Sequence, residues 1–225
     1  MNIVASYRFL RRAIGLIGAV LPIVMPLGYS ISTGDWRILP SVSSYYYTDM
    51  RNVFVGSLCS VGIFLICYHY QRLDDIFSYA GGALAIGVAL CPAVPPDAGT
   101  TAKVVGVLHI VFAALFFVDM ALMCWFLFTQ TSSAAPATAP TQQKLTRNKI
   151  YRVCAVLILV FTALAGGSSL LPESFINTVH PLFWFEALVT FTFGVAWWIK
   201  GDTLFRDKDT GPAPSPVAPA PALTN

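Results

Sequence analysis

Five side chains with ionisable or hydrogen-bonding chemistry fall in or beside long apolar stretches of this 225-residue sequence. Asp49 and Arg51 stand two residues apart at the end of a polar, aromatic loop that also holds Tyr46. His109 and Glu186 each follow the start of a later apolar stretch. An ionisable side chain in apolar surroundings is expensive to bury and is a functional candidate by default. These five residues are therefore the predicted ligand-binding set.

The rise of an α-helix places His109 and Glu186 at similar depths. At about 1.5 Å per residue, His109 lies roughly 9 Å beyond Lys103, and Glu186 roughly 8 Å beyond Pro181. Arg51, at the mouth of another stretch, is expected to pair with Glu186 or to bind an anionic headgroup. The pattern favours an outward-facing polar pocket. The alternative is a structural clamp, because polar side chains commonly join helices in membranes.

Asp119 is a second candidate, deeper in the apolar stretch FFVDMAL. A bare carboxylate there would be costly, so we expect it to be protonated or paired with Arg152 or Tyr151. Asp119 stands ten positions after His109, so the two do not share a helix face at 3.6 residues per turn. The structural alternative for Asp119 is a single buried hydrogen bond between helices.

The three histidines raise the question of a metal site. His69 is expected on the opposite side of the membrane from His109 and His180. Catalytic zinc usually takes three protein ligands, and the sequence has neither H-x-x-x-H nor H-E-x-x-H. We therefore predict no metal and no cofactor. A metal-dependent membrane hydrolase using His109, His180 and an acid is kept as an alternative.

The composition indicates an all-α polytopic membrane helix bundle. Hydrophobic residues make up 56% of the chain and charged residues 11%, against about 25% charged in soluble domains. Lys and Arg lie at the ends of apolar stretches and form no continuous stripe, so a nucleic-acid partner is not expected. Small residues every four positions, Gly81, Ala85 and Ala89, predict close packing and a central third helix. Six membrane helices are predicted, at residues 13–32, 52–70, 76–94, 103–129, 150–171 and 181–200.

Basic residues predict that both termini are cytoplasmic. Eleven Lys and Arg residues fall on the side of the N-terminus, against three (Arg37, Arg51 and Lys103) on the other side. The membrane domain is predicted to cover residues 1–205, with a cytoplasmic linker at 131–149 within it. Residues 206–225 are rich in Pro and Ala and are predicted to be a disordered tail.

Two segments carry a resemblance to known proteins. SSYYYTDMRNVFVG at 43–56, and FEAL at 185–188 with GVAWWIKG at 194–201, resemble a group of uncharacterised bacterial integral membrane proteins. The chain is more distantly similar to the DRAM/Sfk-type six-helix proteins. The resemblance covers helices two to six and implies the architecture. It also implies a bacterial inner membrane as the location.

These observations favour a non-enzymatic inner-membrane protein of unassigned activity. Its partner is the lipid bilayer, and its outward-facing polar pocket is expected to bind or transport a small molecule or a lipid headgroup. A structural or partner-binding membrane subunit is the remaining alternative. In that case the polar layer would only hold the helices together.

Overall fold

The computed structural model describes residues 3–68, 72–95, 97–130, 141–201 and 204. These residues form helices and connecting segments, and no strand occurs among them. The predicted all-α class is confirmed. Seven α-helices are present in this part of the chain: α1 Ile3–Thr33, α2 Arg51–Ile66, α3 Arg72–Leu90, α4 Thr100–Leu122, α5 Gln142–Gly167, α6 Glu173–Val179 and α7 Pro181–Lys200.

Five helical segments are long and apolar enough to cross a membrane, which indicates a multi-pass membrane protein. The helix α2 is also apolar but has only 16 residues. By length alone the described residues therefore hold five candidate spans, whereas the sequence predicted six. The five segments are Tyr7–Thr33, Arg72–Leu90, Thr100–Leu127, Gln142–Leu170 and Pro181–Lys200.

Several helix boundaries differ from the predicted ones. The helix α5 begins at Gln142 rather than 150, because the Thr141 hydroxyl caps its first turn by accepting from the Lys144 backbone N–H. A π-helical turn, Met123–Leu127, continues α4. The helix α6 lies where a loop was expected. Residues 131–140 of the predicted linker and the predicted tail at 206–225 lie outside the described residues.

The six long helices form a closed ring in the order α1, α2, α3, α4, α5, α7 and back to α1. Each has its main contacts with the two neighbours in this order. The helix α3 is one member of the ring, so the prediction of a central third helix is wrong. Its predicted close packing is confirmed, because a Cβ added to Gly82 would lie 2.7 Å from the Gly62 carbonyl oxygen of α2. A ring without a central helix leaves an interior that side chains must fill.

The two ends of the ring differ in chemistry. Residues 34–50 cover one end, which we call the lid end. At the other end, the basic end, Arg11 binds the Tyr68 hydroxyl at 2.6 Å, and Arg12 donates to the Gly201 carbonyl at 2.9 Å. These contacts join α1 to the ends of α2 and α7. The chain runs back and forth between the two ends.

The seam between α1 and α7 depends on glycine. A Cβ added to Gly194 would meet the backbone of Ala19 and would lie 2.7 Å from the Gly15 carbonyl oxygen. Backbone atoms cannot move aside as a flexible side chain can. The two helices can therefore approach this closely only without a side chain at these positions.

We predict that Gly194→Ala weakens this seam. The methyl group would overpack a backbone contact, which typically costs about 1–3 kcal/mol. Gly56→Ala is the matched control, because Gly56 is also helical and nothing lies within 4 Å of a Cβ added there. Thermal unfolding in detergent should show a lower Tm for Gly194→Ala and an unchanged or higher Tm for Gly56→Ala. Equal Tm values for both variants would contradict the glycine seam.

Candidate functional site

A cavity of about 470 Å³ occupies the half of the ring nearest the lid end. All six ring helices and residues 40–44 contribute to its wall. This volume falls in the range of small-molecule binding sites, about 300–1,000 Å³. Most of the wall is apolar, and its polar side chains come from the lid and from α4, α5 and α7. The cavity therefore suits a molecule with a long apolar part and a small polar part.

The floor of the cavity is an aromatic contact across the ring. The Phe116 ring of α4 and the Phe193 ring of α7 have centroids 5.5 Å apart and meet edge to face. Val61 of α2 and Ala85 of α3 line the cavity near this level. Below the floor, tightly packed residues such as Trp197 fill the ring towards the basic end. The cavity is thus closed on the side of the basic end.

The lid is held down by a buried tyrosine. Tyr45 is fully buried, packs against the rings of Tyr29 and Phe183, and accepts a hydrogen bond from the Leu39 backbone N–H at 3.2 Å. Burial raises the pKa of the Tyr45 hydroxyl, so it stays neutral at ordinary pH. The Tyr47 hydroxyl donates to the Ala93 carbonyl at 2.6 Å, which ties the lid to the segment after α3.

Glu186 joins α7 to the lid from inside the cavity wall. Its Oε2 accepts from the backbone N–H groups of Val42 and Ser43 at 2.7 and 3.2 Å. Its Oε1 accepts from the Ser43 hydroxyl at 3.2 Å. Val42 and Ser43 begin the 3-10 turn Ser43–Tyr47, whose first N–H groups have no partner within the turn. The carboxylate therefore caps this turn and lines the cavity at once.

His109 joins α4 to the end of α3. Its Nδ1 lies 2.6 Å from the Cys91 carbonyl oxygen, one residue after α3 ends. A carbonyl oxygen only accepts, so Nδ1 carries the proton and Nε2 is the acceptor nitrogen of the neutral ring. His109 lines the same cavity as Glu186. The cavity wall thus offers two acceptor groups, a carboxylate and an imidazole.

The structure separates the other predicted site residues from this cavity. Arg51 is exposed, donates from Nε to the Tyr46 carbonyl at 2.9 Å, and stacks on the Tyr46 ring. Asp49 is exposed, and none of these three residues lines the cavity. The expected Arg51–Glu186 pair is not formed, because the 3-10 turn supplies the donors to Glu186. Arg51 and Tyr46 form a separate pair on the lid.

His180 lies away from His109. It stands between α6 and α7 with a left-handed backbone (φ 51°) and does not line the cavity. Across the described ranges, no group of three or more His, Cys, Asp and Glu residues is placed to hold a metal ion. The arrangement proposed for a metal-dependent hydrolase therefore finds no support in the positions of these side chains.

Asp119 lies outside the cavity, one helical turn below Phe116. Its carboxyl is 8% exposed, and its Oδ2 has no hydrogen-bond partner. The expected partner Arg152 instead stacks on the Trp125 ring, and the Tyr151 ring packs against Phe128. The Oδ2 atom therefore does not form the single hydrogen bond between helices that was the structural alternative for Asp119.

The wall between α4 and α5 is thin at the lid end. Side-chain contacts between these helices, such as Phe128 with Tyr151, lie near the basic end. Nearer the lid, Ile110 lines the cavity and is 62% exposed. Gly166 of α5 also lines it, and a Cβ added there would meet nothing within 4 Å. The cavity therefore borders exposed residues between these two helices.

Sequence reasoning missed the partners of Glu186, because two of its three donors are backbone N–H groups. It also missed four hydroxyl side chains that complete the polar part of the wall. The run GGSS at 166–169 was the visible signal, because small and hydroxyl residues interrupt an apolar stretch there. These four residues are Thr162, Ser168, Ser169 and Thr190.

The fold and the site define a helical multi-pass membrane protein with an enclosed, largely apolar cavity. Comparison with protein-family models, curated proteins and solved structures finds no match. The proposed function therefore rests on the ring and its cavity.

We predict that Glu186→Ala loosens the lid. The change leaves the N–H groups of Val42 and Ser43 without an acceptor, at a cost of about 1–3 kcal/mol for each orphaned donor. Hydrogen exchange at these two amides should accelerate by about tenfold or more. Glu186→Gln keeps an acceptor oxygen and should have a smaller effect. Arg51→Ala, on the exposed side, should leave this exchange unchanged, and equal acceleration in Arg51→Ala would contradict the assignment.

Proposed function

We propose that this is a bacterial inner-membrane protein that binds a small amphipathic molecule for transport, without a chemical step. The observation that carries the proposal is the cavity, which joins a long apolar wall to two acceptor groups, Glu186 and His109. A molecule with an apolar chain and a hydrogen-donating headgroup complements both parts. Its chain would lie against the apolar wall above Phe116 and Phe193.

The headgroup preference follows from the hydrogen bonds that already exist. Oε2 of Glu186 accepts two hydrogen bonds and Oε1 only one, so Oε1 keeps capacity for a further donor. Nε2 of the neutral His109 ring is also an acceptor. An amine or hydroxyl headgroup donates to such groups. A carboxylate headgroup would instead repel Glu186.

The proposed membrane topology has six spans with both termini in the cytoplasm. Although α2 is short, it lies in the ring between α1 and α3 and runs from the lid end to the basic end, so we include it as the sixth span. Basic residues concentrate on the cytoplasmic side of membrane proteins. Three lie at the lid end (Arg37, Arg51 and Lys103). The basic end holds nine of the described residues: Arg8, Arg11, Arg12, Arg72, Lys144, Arg147, Lys149, Arg152 and Lys200.

The thin wall between α4 and α5 supports entry from the lipid phase. The lid closes the cavity from above, through Tyr45 and Glu186, and the phenylalanine contact closes it from below. Between α4 and α5 the cavity is bordered by the exposed residues Ile110 and Gly166. An amphipathic molecule already dissolved in the outer half of the membrane would reach the cavity there.

We predict that decylamine stabilises the protein more than decanol does, and decanol more than decanoate. The three probes share one chain, so the order reports the headgroup alone. A ligand at a hundred times its Kd stabilises by about 2.7 kcal/mol. Thermal unfolding in detergent measures the effect. Glu186→Gln should remove the preference for the amine over the carboxylate.

Gly166→Leu tests the cavity, because its side chain would grow into the open space that Gly166 borders. Gly167→Leu is the matched control, since Gly167 also has nothing within 4 Å but does not line the cavity. Stabilisation by decylamine should fall in Gly166→Leu and persist in Gly167→Leu. Equal stabilisation in both variants would contradict binding in the cavity. An absence of any probe effect in the wild type would favour a structural subunit.

A further inference from the structure

A second polar site lies below the cavity floor. Three buried polar atoms there have no hydrogen-bond partner: Oδ2 of Asp119, Oγ of Ser78 and Nε1 of Trp197. Their side chains are 8%, 1% and 0% exposed, and they come from α4, α3 and α7. An unpaired buried polar group is costly, so three in adjoining layers of a membrane bundle require an explanation.

The positions of these three groups along their helices, at 3.6 residues per turn, place them in adjoining layers of the ring interior. Asp119 is one turn beyond Phe116, and Trp197 is one turn beyond Phe193, on two helices that both run towards the basic end. The Phe116 and Phe193 rings are in contact. Asp119 and Trp197 therefore lie at the same level, one turn below the cavity floor. Ser78 follows one turn further towards the basic end, because α3 runs in the opposite direction and its Gly81 faces Asp119.

Because Gly81 has no side chain, it leaves the space that the Asp119 carboxyl group occupies. A Cβ added to Gly81 would lie 2.6 Å from Asp119 Oδ2. On the same face of α3, Ser78 and then Asp74 continue towards the basic end at intervals of about one turn. Both are buried, and Asp74 interacts electrostatically with Lys200 and Arg11. A buried polar stripe thus runs from Asp119 to the charged groups of the basic end.

No positive charge compensates Asp119. Among the described residues, no ion pair to Asp119 is formed. A bare carboxylate in an apolar interior takes up a counter-charge or a proton. Neither the Ser78 hydroxyl nor the Trp197 indole N–H donates a hydrogen bond to Oδ2, and such donors are what would stabilise the charged form of the carboxyl. The chemistry of the layer therefore favours a proton.

Titratable and charged groups surround this region. The elements packed against α4 are α3, α5 and the π-helical turn. The titratable and charged side chains that are buried or half-buried in the basic half of the ring include Tyr7, Arg11, Tyr68, Asp74, Cys124, Tyr151, Cys154 and Lys200. Of these, Asp74 is the nearest acid along the polar stripe. Lys200 and Arg11 favour its charged form, whereas its burial and the neighbouring Asp75 disfavour it.

We propose that Asp119 is a proton-binding site that exchanges its proton with the basic end along Ser78 and Asp74. The step is a simple protonation, in which the carboxylate takes a proton from water at the basic end and returns it there. Phe116 is one turn away on the same helix, so a change of charge at Asp119 acts directly on the cavity floor. This inference goes beyond the proposed binding function and does not require it.

Infrared spectroscopy of the purified protein during a pH titration tests the proposal. A protonated buried carboxyl gives a carbonyl stretching band separate from the carboxylate bands. We expect one such band to disappear as the pH rises and to be absent in Asp119→Asn. Glu186→Gln is the control and should retain it. A band that survives in Asp119→Asn would overturn the assignment, as would the absence of any titrating band in the wild type.

Gly81→Ala provides a second variant should Asp119→Asn fail to fold. Its methyl group would crowd Oδ2 and remove space for hydrating water, which disfavours the carboxylate. The midpoint of the band should therefore move to higher pH in Gly81→Ala and stay in place in Gly56→Ala. An unchanged midpoint in Gly81→Ala would overturn the proposal. The titration uses no ligand, so it separates this proposal from the decylamine test of the cavity.

Discussion

The three hydrogen bonds that Glu186 accepts from Val42 and Ser43 hold the lid on the ring. The start of the 3-10 turn presents N–H groups that need an acceptor, and the nearby helix α7 supplies a carboxylate. A carboxylate inside a membrane bundle needs donors for the same reason. Each group thus removes the cost of burying the other. The enclosed shape of the cavity follows from this arrangement, because the lid residues 40–44 form its upper wall.

The interior of the ring is organised in layers. The lid and Glu186 form a polar layer, the cavity wall is apolar, and Phe116 with Phe193 forms an aromatic floor. Below the floor are the unpaired groups of Asp119, Ser78 and Trp197. Neighbouring layers are about one helical turn apart. The apolar wall and the aromatic floor therefore separate two polar regions inside the ring.

Sequence reasoning predicted the helical class and the last long helix, residues 181–200, because apolar length alone decides both. It also predicted that His109 and Glu186 lie at one depth, since the helical rise is fixed. It failed for Arg51, because the path of the loop before α2 depends on burying Tyr45 and not on any periodic pattern. The cavity was beyond prediction in detail, because its volume is the space that six packed helices leave between them.

The seam between α1 and α7 has a consequence for folding. The hydrogen bond from Arg12 to Gly201 joins residues 189 positions apart, and the ring cannot close before the last helix has been synthesised. Until then, the glycine face of α1 lacks the helix against which it packs. Contacts of such high sequence separation slow folding, because the closure of a long chain segment precedes the energetic gain. Assembly of the ring therefore requires α7, and the cavity is incomplete until α7 packs against α1.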